Sequence, residues 1–243
     1  LANERLDLRI LITGGLGYLG SVLIPKLLNK KFKIICVDKF MFGNAHALPF
    51  LLDDNFLLIK GDITNSDFMK NVFEQNNKNF IIHLAAYVGY PICKKFPKEA
   101  EETNLKGTHI INELRKDIPI IFGSTGSNYG HIENDEVCTE LTPLKPITLY
   151  GITKTKAENE IVQYGNHICF RFATAFGVSP RHRLDLLIND FCYKAQINKN
   201  LIVYERHYKR TFIHVEDIAK TFIFAIDNYH LTKNNILMLD LIH

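Results

Sequence analysis

The chain has 243 residues, of which 47% are hydrophobic and 23% are charged, so it is long enough and apolar enough to bury a sizeable core. The net charge of +3 is small and the basic residues are spread along the chain, which argues against a nucleic-acid partner. No apolar run approaches the roughly 18 residues that a membrane helix needs. We therefore expect a globular protein with neither a nucleic-acid nor a membrane partner.

The chain contains five cysteines, and no two of them lie in a Cys-x-x-Cys spacing. An odd number without paired spacing argues against a disulfide framework and against a zinc site. Cys36 and Cys169 lie inside apolar runs, so they are predicted to be small core residues. We expect a reducing, cytoplasmic compartment and no bound metal.

Short apolar runs alternate with helical patterns along most of the chain. Strands are predicted at residues 8–13, 32–38, 56–60, 80–84, 118–122 and 167–172, and helices at residues 18–29, 66–76, 98–115 and 148–164. Most strand runs are apolar throughout, which is typical of parallel strands buried on both faces. Ser66 is predicted as the N-cap of its helix, and residues 236–242 as a last strand. The order predicts an α/β fold with a doubly wound parallel sheet.

A glycine-rich turn links the first predicted strand to the first helix. Glycines at positions 14, 17 and 20 follow the strand in a G-x-x-G-x-x-G spacing. Such a turn brings the backbone close to a pyrophosphate and aims the N–H groups of the helix start at the anion. The sequence therefore predicts a dinucleotide site at Gly14, Gly17, Tyr18 and Leu19.

The second predicted strand ends in Asp38, 24 residues after Gly14 (38 − 14). An acid at this place can accept hydrogen bonds from the ribose hydroxyls and repels a 2′-phosphate. The pattern therefore favours NAD over NADP. Lys39 beside it would weaken that preference.

Tyr150 and Lys154 lie one turn apart near the start of a predicted helix, so their side chains share a face. A lysine cation near a phenol stabilises the phenolate and lets the tyrosine act as a base nearer neutral pH. By itself this spacing is common. Its meaning depends on the motifs around it.

Those motifs resemble the extended short-chain dehydrogenase/reductase family, in its nucleotide-sugar epimerase and dehydratase branch. The resemblance runs from residue 8 to about residue 217. Besides Tyr150 and Lys154, it rests on Thr13-Gly14-Gly15-Leu16-Gly17-Tyr18-Leu19-Gly20, Gly61-Asp62-Ile63, His83-Leu84-Ala85-Ala86, Asn104-Leu105-Lys106-Gly107-Thr108, Gly123-Ser124-Thr125, Tyr129-Gly130 and Arg210-Thr211-Phe212-Ile213-His214-Val215-Glu216-Asp217. It implies an NAD cofactor and a parallel Rossmann sheet.

The resemblance also implies roles for single residues. Thr125, Tyr150 and Lys154 would be catalytic, and Thr125 would hold the sugar oxygen. The implied cofactor contacts add Asp62, Ile63, Leu84, Ala85, Ala86 and Asn104 to the glycine turn, Asp38, Tyr150 and Lys154. The implied substrate contacts are Ser124, Thr125, Thr174 and Arg210.

Several of these positions have a second interpretation. Ser124 either contacts substrate or supports its neighbour, and Arg210 either meets the substrate diphosphate or belongs to a solvated basic face. Asn104 is also expected to tie backbone together inside the site. His83 is expected to be a buried, hydrogen-bonded core residue, and Asp217 a residue of a helix start.

The chain departs from the family pattern in three places. Thr174 stands where epimerases and dehydratases often carry Asn, which affects sugar contacts. Gly126 and Ser127 follow the catalytic threonine where dehydratases place acids, so dehydration is disfavoured. The chain stops at His243, earlier than family members usually do, so we expect a small, apparently truncated substrate region with an open wall.

We divide the chain into an NAD(P)-binding Rossmann domain, residues 1–169, and a partial substrate-binding region, residues 170–243, that is interleaved with the sheet. The leading hypothesis is an NAD-dependent 4-epimerase of a nucleotide-diphosphate sugar. The alternatives are a 4-keto-sugar-nucleotide reductase and a cofactor-binding sensor without catalysis. The family resemblance also suggests a homodimer through residues 98–115 and 148–164.

Overall fold

The structure is a computed structural model that describes residues 8–132, 137–204, 206, 207 and 209–239. Within these residues, seven parallel strands form one sheet in the order β3-β2-β1-β4-β5-β6-β9. They are β1 (Arg9–Thr13), β2 (Lys33–Asp38), β3 (Phe56–Lys60), β4 (Phe80–His83), β5 (Ile120–Thr125), β6 (His167–Phe172) and β9 (Asn235–Leu239). β7 (Thr174–Phe176) and β8 (Phe212–His214) form a separate parallel pair. The predicted doubly wound α/β fold is confirmed.

Helices cover both faces of the sheet. They are α1 (Gly20–Asn29), α2 (Ser66–Gln75), α3 (Tyr90–Lys95), α4 (Pro97–Glu101), α5 (Thr108–Arg115), α6 (Leu149–Tyr164), α7 (Leu187–Asn198), α8 (Val215–Asp227) and α9 (Tyr229–Thr232). A π-helical segment, Glu102–Gly107, lies between α4 and α5, and a short 3-10 turn, Gly126–Asn128, follows β5. No helix in the described ranges is both long and apolar enough to span a bilayer.

The sheet separates two apolar cores, and β1 contributes to both. Ile10 and Ile12 face the core that contains Phe222 of α8, whereas Leu11 between them faces the core that contains Ile111 of α5. All five side chains are fully buried. This alternation explains why the strand is apolar throughout, since each face of the sheet packs on helices. The predicted burial of the two strand cysteines, at positions 36 and 169, is confirmed.

The structure corrects the prediction at two helix starts. The prediction of Ser66 as the N-cap of α2 is wrong, because the side chain of Asn65 accepts the capping hydrogen bond from the Phe68 N–H at 3.0 Å. Both residue types are good caps, and the pattern alone does not separate neighbours. α1 begins at Gly20 rather than at residue 18, because the turn after β1 extends to residue 19.

The helix predicted at residues 98–115 is interrupted by the π-helical segment. A π turn adds a residue to the helix and changes the direction of the side chains that follow it. The segment lies close to the loop after β3, since a Cβ added at Gly107 would lie 2.5 Å from the Cδ1 atom of Ile63. It carries Asn104, which supports the site described below.

The C-terminal part of the chain returns to the main sheet. β9 pairs in parallel with β6, with Leu237 opposite Phe170, and the last predicted strand is thereby seen up to residue 239. Residues 240–242 of that prediction lie outside the described residues. β6 crosses the boundary predicted between residues 169 and 170, so the two predicted regions share one sheet.

Candidate active site

A cleft follows the carboxyl ends of the central strands, where the strand order reverses between β1 and β4. Parallel α/β sheets bind ligands at this place. The structure brings almost all of the predicted site residues to its lining. They are Gly14, Gly17, Tyr18, Leu19, Asp38, Asp62, Ile63, Leu84, Ala85, Ala86, Ser124, Thr125, Tyr150, Lys154, Thr174 and Arg210.

The turn after β1 has the shape that a pyrophosphate requires. Gly14 has φ +70°, and a Cβ there would lie 2.5 Å from the Cα atom of Ala85, so only glycine allows the two loops to approach. α1 starts directly behind this turn, and Leu19 at its N-cap position makes no side-chain capping bond. The N–H groups at the positive end of the helix are therefore not capped by the side chain of Leu19, and they can bind an anion in the cleft. The residues fit a dinucleotide.

Asp38 is held in a defined orientation at the end of β2. One carboxylate oxygen accepts the Leu16 N–H at 3.0 Å, and the other accepts the Phe40 N–H at 2.8 Å. A carboxylate oxygen has more than one lone pair, so each can accept a further hydrogen bond. The side chain is therefore oriented in advance for the hydroxyls of a ribose.

Asn104 lies behind the cleft and does not line it. Its side-chain oxygen accepts the Tyr87 N–H at 2.8 Å, while its amide nitrogen donates to the Tyr87 carbonyl at 3.2 Å and to Thr153 Oγ1 at 3.0 Å. The residue thus ties the loop after β4 to α6. The prediction that Asn104 also contacts the cofactor is not supported by this arrangement.

His83 has the structural position expected from the sequence. Its Nδ1 atom lies 2.6 Å from Thr13 Oγ1 and its Nε2 atom 3.0 Å from Thr108 Oγ1, and the ring is buried. Burial lowers the pKa of His83 to about 3, with a smaller contribution from Lys154. The imidazole is therefore neutral and joins β1, β4 and α5.

The predicted catalytic residues meet where β5 ends and α6 begins. β5 extends through Thr125, three residues beyond the predicted end, because its pairing with β6 continues to Phe172. Tyr150 lies in the first turn of α6 and lines the same part of the cleft as Thr125, whose side chain lies close enough to lower the pKa of the phenol. Lys154 follows one turn later, buried, with its Nζ atom 3.6 Å from the centroid of the Phe122 ring.

The pKa values of this pair differ from the expectation. Burial raises the pKa of Tyr150 to about 12, although the nearby Thr125 side chain and the charge of Arg183 oppose the rise. Burial also lowers the pKa of Lys154 to about 7, against the weaker opposing effects of Cys169 and Glu158. The predicted lowering of the Tyr150 pKa by Lys154 is therefore not observed, because burial has the larger effect. A lower pKa next to the positive nicotinamide of NAD stays a prediction.

A buried polar network behind the catalytic residues was missed from the sequence. Glu158 is fully buried and accepts hydrogen bonds from Ser124 Oγ at 2.5 Å, from Asn128 Nδ2 at 3.0 Å and from Arg171 Nη2 at 2.5 Å. Arg171 also donates to the Tyr129 hydroxyl at 3.0 Å. The network joins β5, α6 and β6, and it places Ser124 in support of Thr125.

The signal for this network lies in helix spacing. Glu158 is four residues after Lys154 and eight after Tyr150, so all three share one face of α6. An acid on a face that is buried requires a partner. Although burial disfavours the charged form of Arg171, its hydrogen bonds with Glu158 and Tyr129 raise its pKa above the usual range.

The outer wall of the cleft is a segment, residues 177–183, that crosses the phosphate turn; we call it the strap. The Tyr18 hydroxyl donates to the Gly177 carbonyl at 2.6 Å, and the Ser179 hydroxyl donates to the Tyr18 carbonyl at 2.7 Å. Arg181 extends further and places its guanidinium 3.6 Å from the centroid of the Phe42 ring. Tyr18 thus holds the strap, in addition to lining the cleft as predicted.

The two predicted substrate residues of the C-terminal region lie on the same wall. Thr174 is the first residue of β7, and its N–H donates to the Thr211 carbonyl at 3.2 Å. Arg210 precedes β8 and is exposed at the edge of the cleft. Asp217 lies in the first turn of α8, the helix start that the sequence predicted.

Three features of the cleft define a short-chain dehydrogenase/reductase site. They are the glycine turn before a helix start, the oriented acid at the end of β2, and the Thr-Tyr-Lys set at the opposite end. Residues 10–238 match the NAD dependent epimerase/dehydratase family, and the chain belongs to that family. This assignment confirms the resemblance drawn from the sequence and agrees with NAD as the cofactor.

Several curated and solved proteins are similar to the chain. It is 30% identical to a dTDP-D-glucose 4,6-dehydratase of Dictyostelium discoideum, over 90% of the chain and 56% of that protein. It is 32% identical to a UDP-glucose 4-epimerase of Halalkalibacterium halodurans, over 72% of the chain and 53% of that protein. The chain thus spans about half the length of these two relatives.

The fold is shared with a solved UDP-glucose 4-epimerase of Thermotoga maritima, which has a TM-score of 0.84 at 24% identity. That comparison covers 96% of the chain and 77% of the solved chain. At this identity the likeness shows the fold.

Proposed function

We propose that this protein catalyses NAD-dependent oxidation and reduction at C4 of a nucleotide-diphosphate sugar, as a 4-epimerase. The observation that carries the proposal is that Thr125, Tyr150 and Lys154 meet at one end of a dinucleotide cleft. The relatives named UDP-glucose 4-epimerase support this class of substrate.

In this proposal Tyr150 moves the proton and Thr125 orients the substrate. The Tyr150 Oη atom takes the proton from the sugar hydroxyl and later returns it, while the Thr125 hydroxyl holds the same sugar oxygen. NAD, when bound, supplies the acceptor and donor of the hydride. Lys154 would hold the ribose hydroxyls next to the nicotinamide and keep positive charge near the phenol.

A dehydratase is the second candidate, because the Dictyostelium relative is named a dTDP-D-glucose 4,6-dehydratase. Dehydratases of the branch that the sequence resembles place acids just after the catalytic threonine, whereas here Gly126 and Ser127 follow Thr125 and lie in a short 3-10 turn. The Ser127 N–H donates to the Thr125 hydroxyl at 3.1 Å, so the turn orients the threonine instead. This supports epimerisation over dehydration.

One experiment separates the candidate functions. The chain is incubated with NAD and with UDP- or dTDP-linked hexoses, and the products are followed by NMR. We expect interconversion of the C4 epimers without net use of cofactor. Stoichiometric consumption of NAD(P)H with a 4-keto sugar would identify a reductase, and binding of NAD without any turnover would identify a sensor.

We also propose a homodimer, built on the helices predicted for it. The π-helical segment with α5 and helix α6 pack side by side, and His109 of α5 lies 2.9 Å from Glu160 of α6 on their exposed surface. Sedimentation velocity tests it: a dimer is expected, and a monomer at micromolar concentration contradicts it. A reducing compartment such as the cytoplasm remains the expected location.

A further inference from the structure

The adenosine end of the cleft contains two side chains with opposite effects on cofactor choice. Asp38 repels a 2′-phosphate, whereas an ammonium at position 39 would attract one. The two residues are adjacent in the chain. The preference between NAD and NADP therefore depends on where the ammonium of Lys39 is held.

The structure places this ammonium on Tyr87 and Asp62. The Nζ atom of Lys39 lies 3.1 Å from the Tyr87 hydroxyl, 4.7 Å from the centroid of the Tyr87 ring and 3.7 Å from an Asp62 carboxylate oxygen. A cation over an aromatic face and beside a carboxylate is stabilised by both. We call these two residues the lysine seat.

Both members of the lysine seat are themselves held in place. One oxygen of Asp62 accepts hydrogen bonds from the N–H and the hydroxyl of Thr64, each at 2.9 Å, and the other oxygen faces Lys39. Tyr87 is buried, and both its N–H and its carbonyl are bonded to Asn104. The lysine seat is therefore a fixed feature of the cleft.

We propose that Asp62 and Tyr87 are specificity-determining residues for the cofactor, because they hold Lys39 away from the ribose 2′ position. Asp38 alone excludes NADP only partly while a mobile lysine lies next to it. The lysine seat removes that competing attraction. This inference rests on the proposed NAD-dependent function.

Calorimetric titration of the whole chain with NAD and with NADP tests the proposal. The measured quantity is the ratio of the NADP and NAD dissociation constants, because any weakening of adenine binding by the substitution affects both ligands alike. Asp62→Asn keeps the shape of the residue but frees Lys39. We expect this variant to lower the ratio about two- to fivefold, as for the loss of a partly exposed ion pair.

Two controls separate the lysine seat from general charge. In a Lys39→Ala background the same Asp62→Asn change should leave the ratio nearly constant, because no ammonium is released. Asp54→Asn removes an exposed acid that lies just before β3, the strand that leads to Asp62, and should also leave the ratio unchanged. Equal effects of Asp62→Asn with and without Lys39, or no effect at all, overturn the proposal. A parent chain that binds NAD no better than NADP overturns it as well, and one that binds neither overturns the proposed function together with it.

Discussion

The two walls of the cleft are held in different ways. The inner wall, made by β5 and α6, depends on buried groups, and Glu158 at its centre is fully buried with hydrogen bonds to side chains from three segments. The outer wall, made by the strap and the residues up to β8, carries exposed apolar side chains, among them Val178, Ile202 and Tyr204. The strap itself is held by two hydrogen bonds with Tyr18 and two with Ser21, and Asn189 bonds to its two end residues, Gly177 and Arg183.

This difference separates reaction from recognition. Proton transfer requires the catalytic groups to lie within hydrogen-bonding distance of the substrate. A buried network that joins three elements keeps Thr125 and Tyr150 in such fixed positions. An outer wall with exposed side chains can change them with little cost to the fold, as loops on a rigid scaffold do. We therefore expect changes in the inner wall to have large effects and changes in the outer wall to have small ones.

The largest effect is expected for Tyr150→Phe. The substitution keeps the ring but removes the proton that the reaction transfers, so turnover should fall about 10²–10⁴-fold. NAD affinity should stay within a few-fold of the parent. Tyr164→Phe, at the exposed end of the same helix, is the matched control and should be active. Steady-state kinetics and NAD titration of both variants give the answer, and near-parental turnover in Tyr150→Phe would remove this residue from the mechanism.

Glu158→Gln should give the largest loss of stability. It leaves the buried Arg171 cation without its carboxylate, and breaking one partner of such a pair costs about 3–5 kcal/mol. Glu160→Gln on the same helix removes a partly exposed partner of His109 and should cost less than about 1 kcal/mol. Denaturant unfolding of the two variants checks the contrast. Similar losses would show that the inner wall is no more firmly built than the surface of α6.

Lys154→Met should show a stability gain that depends on pH. The folded chain holds Lys154 with a pKa of about 7, below its unfolded value near 10.5, so burial of the cation disfavours folding below pH 7. Between pH 7 and 10.5 the unfolded chain binds a proton at Lys154 that the folded chain has lost, so the free energy of unfolding of the parent rises with pH. At pH 6 we expect the free energy of unfolding of Lys154→Met to exceed that of the parent by a few kcal/mol, which corresponds to the lowered pKa of Lys154.

The same comparison should give a much smaller difference at pH 10, where the lysine is largely neutral in the folded chain and partly neutral in the unfolded one. Unfolding midpoints at the two pH values measure it. A constant difference between the variants would mean that Lys154 titrates normally in the folded chain.

The smallest effect is expected in the outer wall. Tyr18→Phe removes the hydrogen bond to the Gly177 carbonyl and one from Asn189, so it should cost about 1 kcal/mol and speed amide exchange in the strap. Tyr193→Phe, on the exposed surface of α7, should change neither. Hydrogen exchange followed by mass spectrometry resolves the strap, and unchanged exchange there would show that Tyr18 does not hold it.

Local patterns account for what could be predicted. The glycine turn with Gly14 follows an apolar strand, Asp38 ends one, and the Tyr150–Lys154 pair opens a helix. Sequence spacing was therefore enough to predict that they lie in one cleft, while their roles stay predictions.

Long-range contacts account for what was missed. Glu158 meets Ser124 across 34 residues, and Tyr18 meets Gly177 across 159 residues. Nothing in the pattern around either residue specifies such a partner. The N-cap of α2 was missed for the opposite reason, since Asn65 and Ser66 are neighbours with the same capping chemistry.

The number of residues in the π-helical segment determines how the side chains that support the cofactor cleft are oriented. Each residue of an α-helix turns the chain by about 100°, so deleting one of the residues 105–107 would rotate Asn104 relative to Thr108. Asn104 could then no longer face Tyr87 while Thr108 faces His83. We therefore expect an insertion or deletion between residues 104 and 108 to damage the site, although loops tolerate such changes. Substitutions that keep this spacing should do less damage.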